Sequence, residues 1–503
     1  MSELRYQVVV EAKNGPEAIN GTAEFAKGPI NIACEAPEGL LRSVLAEVEI
    51  DIDADEKIFV NGYQTWTHSP EFAPSDRQYT YGRNIPQFLK DKFHLDNYGD
   101  GFFQDYPKTF GKFKGYSWCY FRKGDFFRLV ASLDETLGYT VFSFDALKDS
   151  LVIERDCRGV KCGGPLRAFD LFYAEGSEDE VFDAWFDAMG VKPRTPDKLA
   201  GYCSWYNRYD KIDEQSMYSD LEGACKVLRP GDLFQIDDGW QQSVGDWLNV
   251  RRDRFPNGLV PIVEKIHEKG FKAGLWLAPF GVQEKSALLD EHPDWLLMPG
   301  GKRWPGGINW GGFYALDIDN AGFTAYLEEV FDTVLSKWGF DFVKLDFLYA
   351  AAPYGTAEES RAGRMIRAMK LLRSFCGDKL ILGCGVPLMP AFGLVDYCRI
   401  GCDVSRSWED TFFMRMAHRE RVSTKNSIDD TTFRRQLNGR AFMNDPDVFF
   451  LRGENCKLTA KQKELLYTAN AKYGGLLLCS DDMNKWDDEM IAAYGRIREM
   501  FGA

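Results

Sequence analysis

Through about residue 185, apolar and polar residues alternate over short stretches of the chain. These stretches are rich in β-branched and aromatic residues and are separated by Gly, Asp and Asn, as is typical of β-strands. Clear examples are residues 40–53, 57–68, 115–133 and 138–144. The pattern predicts an antiparallel β-sandwich in this part of the chain.

The pattern of apolar and polar residues changes after a helical pattern at residues 178–190 and a polar, proline-containing segment at residues 191–197. Such a segment is typical of a connection between domains. We therefore predict an N-terminal β-sandwich domain over residues 1–190 and a second domain over residues 197–503.

In the second domain, short apolar runs alternate with helical patterns. Eight such runs separated by helices predict a (β/α)₈ TIM barrel. The runs are residues 199–207, 231–240, 272–280, 340–349, 379–388, 395–405, 447–452 and 474–482. A further run at residues 313–319 opens onto a helix start at Asn320, so we interpret it as an insertion before the fourth strand.

The fourth run contains the most informative stretch of the chain, residues 343–347. Side chains alternate along a strand, so Lys344 and Asp346 are expected to project to the side opposite their apolar neighbours. Two opposite charges at the carboxyl end of a buried strand indicate a site rather than a core. The lysine is also expected to hold Asp346 ionised, as a nucleophile requires.

Polar and aromatic residues also lie on or directly after other predicted strands. In barrels of this kind the chemistry gathers at the carboxyl ends of the strands. The candidates are Tyr206, Asp237, Asp238, Trp276, Lys344, Asp346, Cys384, Arg399 and Asp403. Charge concentrated on one rim favours an enzyme. Residues 444–447 are instead expected to precede the seventh strand, on the opposite face, in a structural role.

Two carboxylates on different strands are suited to cleaving a glycosidic bond. In a retaining mechanism they lie about 5–5.5 Å apart, where one attacks the anomeric carbon and the other protonates the leaving oxygen. Asp346 suits the nucleophile. Asp403, which stands among small and apolar residues, suits the acid and later the base. The alternative for either aspartate is a buried ion pair or a helix cap.

Asp237 and Asp238 place two further acids at the same rim. Adjacent carboxylates can accept hydrogen bonds from vicinal sugar hydroxyls, and Trp240 or Trp276 can stack on an apolar sugar face. The alternative for one of these aspartates is an ordinary helix cap and turn.

Composition narrows the choice of partner. The formal charge of −15 and the pI near 5.0 argue against nucleic acid and anionic membranes, and fit a polar, uncharged substrate. No signal peptide or membrane-spanning run is visible, and the twelve scattered cysteines are typical of free thiols, so we expect a cytoplasmic protein. The five histidines lack ligand spacing, so we expect neither a metal nor another cofactor.

Several motifs, taken in order, resemble the α-galactosidases of glycoside hydrolase family 36, which share a clan with family 27. They are NGYQTW, CSWYN, FQIDDGW, GDWL, GLWLAPF, KLDFLY, ILGCGVPL, RIGCDVS and NDPDV. Each motif is weak by itself, but their order and spacing are specific, and the resemblance covers almost the whole chain. It implies a retaining, exo-acting, metal-independent hydrolase of terminal α-linked galactose.

The resemblance also implies roles for individual residues. Asp346 matches the family's nucleophile and Asp403 its acid/base. The remaining matches are to substrate contacts: Asp237 and Asp238 to the 4- and 6-hydroxyls, Lys344 and Arg399 to the other ring hydroxyls, Cys384 and Trp276 to the pocket wall, and Trp66 to a tryptophan that reaches over from the sandwich domain. Tyr206 is included as a further substrate-binding candidate.

Other activities stay open at this point. An α-N-acetylgalactosaminidase or an α-galactosyl transferase of the raffinose-synthase type would differ around the sugar 2-position, near Cys384 and Arg399. A carbohydrate-binding protein that has lost catalysis is a more distant alternative.

The expected partner is an α-galactoside oligosaccharide, and a homo-oligomer is left open. The family's small C-terminal β domain is expected to be reduced or absent. The Gly- and Trp-rich segment 298–312 is expected to reshape the leaving-group side.

Overall fold

The structure is a computed structural model that describes residues 2–78, 85–92, 107, 109–412, 414 and 421–502. Two of the histidines considered as metal ligands, His94 and His418, lie outside this range. An antiparallel β-sheet region is followed along the chain by a barrel-like region built on parallel strands.

The antiparallel strands form one hydrogen-bonded sheet. In chain order they are β1 (Ser2–Ala12), β2 (Gly15–Phe25), β3 (Gly28–Glu49), β4 (Lys57–Val60), β5 (Glu71–Phe72), β6 (Lys112–Tyr116), β7 (Trp118–Lys123), β8 (Phe126–Ser132), β9 (Tyr139–Asp145), β10 (Ser150–Asp156) and β11 (Lys161–Gly176). The order across the sheet is β5-β4-β7-β8-β11-β3-β10-β9-β6, and β1 joins β2 to β3.

Alternation explains why these residues form strands. On β10, Leu151 and Ile153 are buried while Val152 and Glu154 are partly exposed, so one face of the strand packs on the core. The predicted antiparallel character is confirmed. The two-layered packing of a sandwich stays a prediction, as does the domain boundary at residues 191–196.

The second region contains the parallel strands and a small separate sheet. Its strands are β12 (Leu199–Cys203), β13 (Leu233–Ile236), β14 (Lys272–Leu277), β15 (Gly281–Gln283), β16 (Pro305–Gly307), β17 (Phe313–Ala315), β18 (Phe342–Leu345), β19 (Leu380–Gly383), β20 (Tyr397–Arg399), β21 (Met443–Asp445), β22 (Val448–Phe449) and β23 (Leu476–Cys479). Each of the eight predicted runs contains one of the parallel strands.

Parallel pairing runs in the order β21-β20-β19-β18-β14-β13-β12-β23-β22. The two ends of this sheet, β21 and β22, are separated in the chain by Pro446 and Asp447 alone, which makes the sheet barrel-like. Every residue of β12, β13, β18 and β23 is buried, as expected for parallel strands covered on both faces.

Helices connect the parallel strands, and side-chain caps begin several of them. The α-helices are α1 (Gln87–Lys92), α2 (Glu178–Met189), α3 (Trp205–Arg208), α4 (Glu214–Ala224), α5 (Val260–Glu268), α6 (Ala287–Glu291), α7 (Ala321–Asp332), α8 (Arg361–Cys376), α9 (Leu388–Ala391), α10 (Thr424–Phe433), α11 (Ala460–Tyr473) and α12 (Asp488–Phe501). A π-helical turn, Thr333–Lys337, extends α7. The Asn320 side chain accepts hydrogen bonds from the N–H groups of Gly322 and Phe323, which confirms the predicted helix start.

Short 3₁₀ turns complete the regular structure of the described residues. They are Pro293–Trp295, Pro299–Gly301, Asn309–Gly311, Leu348–Ala351, Arg435–Leu437 and Met483–Lys485. The strands β15, β17 and β16 pair antiparallel to each other, outside the parallel sheet. The interpretation of residues 313–319 as an insertion is therefore confirmed.

Buried contacts join the two regions. The Trp185 ring on α2 lies 5.6 Å from Trp118 of β7 and 5.9 Å from Phe392, which follows α9. Arg361, at the start of α8, pairs with Asp156 on β10. No helix among the described residues is long and apolar enough to cross a membrane.

Candidate active site

A cavity of about 140 Å³ lies where polar residues at the carboxyl ends of the parallel strands meet residues brought in by two loops. We call it the acidic cavity. Its lining residues are Trp66, Cys203, Trp205, Tyr206, Asp237, Asp238, Trp276, Asn309, Trp310, Lys344, Asp346, Phe347, Arg399, Asp403 and Asp447. The predicted candidates therefore come together here, with the exception of Cys384.

Asp346 follows β18 and is held from two sides. The Trp276 indole N–H donates to its Oδ2 at 3.0 Å, and the backbone N–H of Phe347 donates to its Oδ1 at 2.9 Å. Phe347 has a φ of 53°, in the left-handed region that residues other than glycine rarely adopt. Such strain is typical of functional sites, and here it accompanies a fixed, buried carboxylate.

Lys344 makes its hydrogen bond to Asp237 rather than to Asp346. Its Nζ donates to Oδ2 of Asp237 at 2.9 Å, and Gln235 donates to the same oxygen at 2.8 Å. Burial opposes the charged form of Lys344, but the carboxylates of Asp237 and Asp346 outweigh it and keep the pKa well above its usual range. Lys344 therefore pairs with the carboxylate that follows β13, two strands away in the sheet, and not with Asp346 at the end of its own strand.

Asp238 has different surroundings from Asp237. The Gln241 side-chain amide donates to its Oδ1 at 2.6 Å, and the Trp310 indole N–H donates to its Oδ2 at 2.7 Å. Burial raises the pKa of Asp238 to about 6, and these two hydrogen bonds oppose that shift. Asp237 therefore has a cation as its partner, whereas the adjacent Asp238 has neutral hydrogen-bond donors.

Arg399 connects three carboxylates at the wall of the cavity. Its guanidinium donates to Asp403 at 2.7 Å, to Asp445 at 2.9 Å and to Asp447 at 3.0 Å. The hydroxyl of Tyr206 also donates to Asp447, at 2.6 Å. Asp403 is the most exposed of the three, with 43% of its side chain accessible.

The expectation that residues 444–447 lie on the opposite face in a purely structural role is wrong for Asp447, which lines the acidic cavity. Pro446 and Asp447, which has a φ of 70°, interrupt the seventh strand between β21 and β22. Proline cannot donate to a strand ladder, so the regular alternation assumed for this stretch does not hold.

Trp66 enters the cavity from the loop between β4 and β5. Its indole N–H donates to the Cys384 sulfur at 3.3 Å, and its ring lies 5.1 Å from the Phe347 ring. A Cβ at Gly385, where φ is 60°, would lie 2.8 Å from the Trp66 ring. Cys384 was predicted to line the pocket, but it supports Trp66 and is absent from the described lining.

A second cavity of about 630 Å³ adjoins the first and shares Trp205, Tyr206 and Asp403 with it. We call it the outer cavity. Tyr209 and Arg406 belong to its wall, and the Arg406 guanidinium lies 5.4 Å from the centre of the Tyr209 ring. Asp403 thus stands at the boundary between a small enclosed space and a larger open one.

The lining also contains residues that the sequence analysis did not single out. Cys203 and Trp205 belong to the CSWYN motif, whose position after the first strand was a usable signal. Asn309 and Trp310 come from the segment 298–312, which was noted for its glycines and tryptophans. Among the described residues no cluster of three or more His, Cys, Asp or Glu side chains is arranged to hold a metal ion.

Comparison with known proteins adds to this geometry. A family model described as Melibiase matches residues 204–367. α-Galactosidase Mel36A of Lactobacillus acidophilus is 30% identical over 151 residues, which cover 28% of this chain and 20% of that protein. An α-galactosidase of Escherichia coli is 30% identical over 152 residues, covering 28% of this chain and 21% of that protein. The matches thus span about a fifth of the length of these relatives.

Solved structures match over nearly the whole chain. TtGalA, an α-galactosidase from Thermus thermophilus in complex with p-nitrophenyl α-D-galactopyranoside, is 27% identical with a TM-score of 0.76, covering 99% of this chain and 94% of that chain. The family 36 α-galactosidase AgaA from Geobacillus stearothermophilus, 12% identical, covers 99% of this chain and 75% of its own with a TM-score of 0.60, which shows the fold alone.

The family-model match and the structural matches relate this chain to glycosidases. Within that class, the predicted resemblance to the α-galactosidases of glycoside hydrolase family 36 is confirmed.

Proposed function

We propose that the protein is a retaining, exo-acting α-galactosidase with Asp346 as nucleophile and Asp403 as acid/base. The observation that carries this proposal is that both carboxylates, contributed by different strands, line one small cavity. Two carboxyl groups facing one sugar ring are what double displacement at an anomeric carbon requires.

Asp346 is suited to attack. Its two hydrogen bonds hold the carboxylate in a fixed orientation, which lowers the entropic cost of reaching the anomeric carbon. In the first step a bond forms between an Asp346 oxygen and that carbon while the bond to the leaving oxygen breaks. Water then replaces Asp346 in the second step, so the anomeric configuration is retained.

Asp403 is suited to proton transfer because of its position and charge environment. It borders both cavities, where the leaving oxygen and later the attacking water would lie. One Arg399 cation is shared by Asp403, Asp445 and Asp447. Asp403 is the most solvent-accessible of the three carboxyls, so it can exchange a proton with water between the two steps.

The remaining polar groups suit a galactose ring held by its hydroxyls. Asp237, Asp238, Lys344 and Arg399 offer acceptors and donors on the cavity wall, and the rings of Trp66 and Trp276 offer apolar surface. The outer cavity would take the leaving group. TtGalA, the structural relative with 28% identity over 99% of both chains, is also known in complex with stachyose, and we propose that α-galactoside oligosaccharides are substrates here too.

The other expectations enter the proposal unchanged. We propose a (β/α)₈ barrel over residues 197–503 that follows an N-terminal sandwich over residues 1–190, no metal or other cofactor, and a cytoplasmic location. Galactose is favoured over N-acetylgalactosamine because the matched relatives are α-galactosidases. A substantially faster reaction with the aryl N-acetylgalactosaminide than with the aryl galactoside would overturn that choice.

Azide rescue distinguishes the two carboxylates. We expect Asp346→Gly to lose at least about a thousandfold in kcat on an aryl α-galactoside. With azide, this variant should form β-galactosyl azide, because azide attacks the anomeric carbon from the face that Asp346 attacks in the wild type. Asp403→Ala with azide should instead form α-galactosyl azide, because azide replaces water in the second step.

Asp341→Asn is the matched control, since Asp341 directly precedes β18, at the strand end opposite Asp346, and binds His267 and Lys379. It should keep activity within about threefold, as substitutions away from a site usually do. Full activity of Asp346→Gly, or the same azide anomer from both catalytic variants, would contradict the assignment.

A further inference from the structure

The loop that carries Trp66 into the acidic cavity, residues 61–69, is held from behind by two residues of the barrel-like region, Asp430 and Arg434. We call this segment the tryptophan loop. Asp430 lies on α10 and Arg434 directly follows that helix, so the two side chains are one helical turn apart. Both are fully buried, and neither belongs to the described lining of the cavity.

Asp430 joins two segments through its two carboxylate oxygens. Its Oδ1 accepts a hydrogen bond from the backbone N–H of Ser69 at 2.7 Å and contacts His68 Nδ1 at 3.0 Å. Its Oδ2 accepts one from the backbone N–H of Cys402 at 3.1 Å. One buried carboxylate thus connects the tryptophan loop to the residue immediately before Asp403.

Arg434 joins the same two segments. Its guanidinium donates to the side-chain oxygen of Asn61 at 2.9 Å and to the carbonyl of Thr65 at 2.8 Å, both on the tryptophan loop. It also donates to the carbonyl of Ile400 at 2.8 Å, on the segment that leads to Asp403. Since backbone groups accept or donate most of these bonds, the contacts fix chain positions rather than side chains alone.

Gly401, between the two anchored residues Ile400 and Cys402, permits this close approach. A Cβ at position 401 would lie 2.8 Å from the Cβ of Asp430, closer than side-chain atoms pack. A substitution there would push the segment away from α10 without changing any charge.

We propose that Asp430 is a positioning residue that sets where Asp403 stands relative to Trp66 across the bound sugar. This inference rests on the proposed function, because it assigns the acid/base role to Asp403. Proton transfer to the leaving oxygen tolerates little misplacement, and a shift of about 1 Å can cost about a hundredfold in rate. Asp430 itself does not touch the reacting atoms.

Asp430→Asn tests the proposal with a side chain of the same shape. The amide offers one oxygen where the carboxylate offers two, so the bond to Ser69 or the bond to Cys402 is lost. With poor leaving groups, which need a proton, kcat/KM should fall on the order of 10- to 100-fold. With 2,4-dinitrophenyl α-galactoside, whose leaving group needs no proton, it should fall less than about threefold.

Asp429→Asn is the control, because it makes the same chemical change one residue away. The Asp429 carboxylate is half-buried and has no hydrogen bond to Ser69 or Cys402 among the described residues. Any loss of kcat/KM in this variant should not depend on the leaving group. Gly401→Ala provides an independent route to the same displacement and should reproduce the leaving-group dependence. If Asp430→Asn does not fold, the leaving-group dependence of Gly401→Ala tests the positioning role in its place.

An equal loss with all leaving groups, or no loss, would overturn the positioning role. If the wild-type protein cleaves no α-galactoside at all, the proposed function fails instead, so the two failures are distinguishable.

Discussion

The Lys344 ammonium, on β18, donates to the Asp237 carboxylate beyond β13, at 2.9 Å. The two side chains are 8% and 2% exposed, so water contributes little to their solvation. The pair therefore links non-adjacent strands of the parallel sheet across the cavity. It also leaves Asp346, two residues along from Lys344, to be held by neutral N–H donors.

Removing the lysine should expose the cost of that buried carboxylate. We expect Lys344→Met to lower the free energy of unfolding by about 3 kcal/mol, because the buried Asp237 carboxyl group loses its cationic partner. The double variant Lys344→Met/Asp237→Asn should recover most of the loss. Urea unfolding measures both, and a single variant as stable as the wild type would contradict the pairing.

The raised pKa of Asp238 predicts a stability change with pH. In the unfolded chain an aspartate has a pKa of about 3.9, against about 6 in the folded protein. Between these values the folded state binds more protons, so stability from this group falls as pH rises from about 4 to about 6, by about 2 kcal/mol over that interval and by about 3 kcal/mol over the whole titration.

The comparison with Asp238→Asn isolates this contribution, since other titrating groups are common to both proteins. The unfolding free energy of the variant minus that of the wild type should rise by about 2 kcal/mol from pH 4 to pH 7. A difference that is flat over this range would show that Asp238 titrates normally.

Trp310 should tune the same carboxyl group. Its indole N–H stabilises the ionised form of Asp238, so Trp310→Phe should raise the pKa of Asp238 above about 6. The acidic limb of the pH profile of kcat/KM should then move to higher pH. Trp304→Phe is the matched control in the same segment, because the Trp304 ring packs on Tyr354, 4.7 Å away, and should leave the limb in place.

The contact between the two regions should depend on Arg361. This residue, 5% exposed, pairs with Asp156, and its guanidinium lies 5.0 Å from the centre of the Tyr139 ring. We expect Arg361→Met to cost about 3–5 kcal/mol of unfolding free energy. Arg367→Gln, on the same helix but in a more exposed ion pair with Glu359, should cost less than about 1 kcal/mol. Equal costs would contradict a buried role for Arg361.

Substitutions in the outer cavity should affect only substrates whose leaving group extends into it. Tyr209→Ala removes an aromatic surface worth about 0.5–1.5 kcal/mol in a stacking contact, so kcat/KM for stachyose should fall about two- to tenfold. The same variant should cleave α-galactosyl fluoride at the wild-type rate, because fluoride does not extend into the outer cavity. A similar loss on both substrates would place Tyr209 in the sugar pocket instead.

Residues of this site could be predicted from the sequence only where the local strand pattern is regular. Asp346, Asp403 and Lys344 were found because strand alternation and position at a strand end are local properties of the sequence. Asp447 was missed because Pro446 interrupts its strand, and a broken strand no longer reports which face a residue occupies.

The sequence by itself determined the order of strands and helices, the buried parallel strands and the rim to which the acids belong, because strands buried on both faces stand out as short continuous apolar runs between helical patterns. The partners of the following polar groups were decided by tertiary structure alone. Lys344 binds Asp237, Trp310 binds Asp238 and Asp430 binds Ser69, each across 70 or more residues of chain. Such pairs form when separate strands and loops pack together, and no local pattern encodes that geometry.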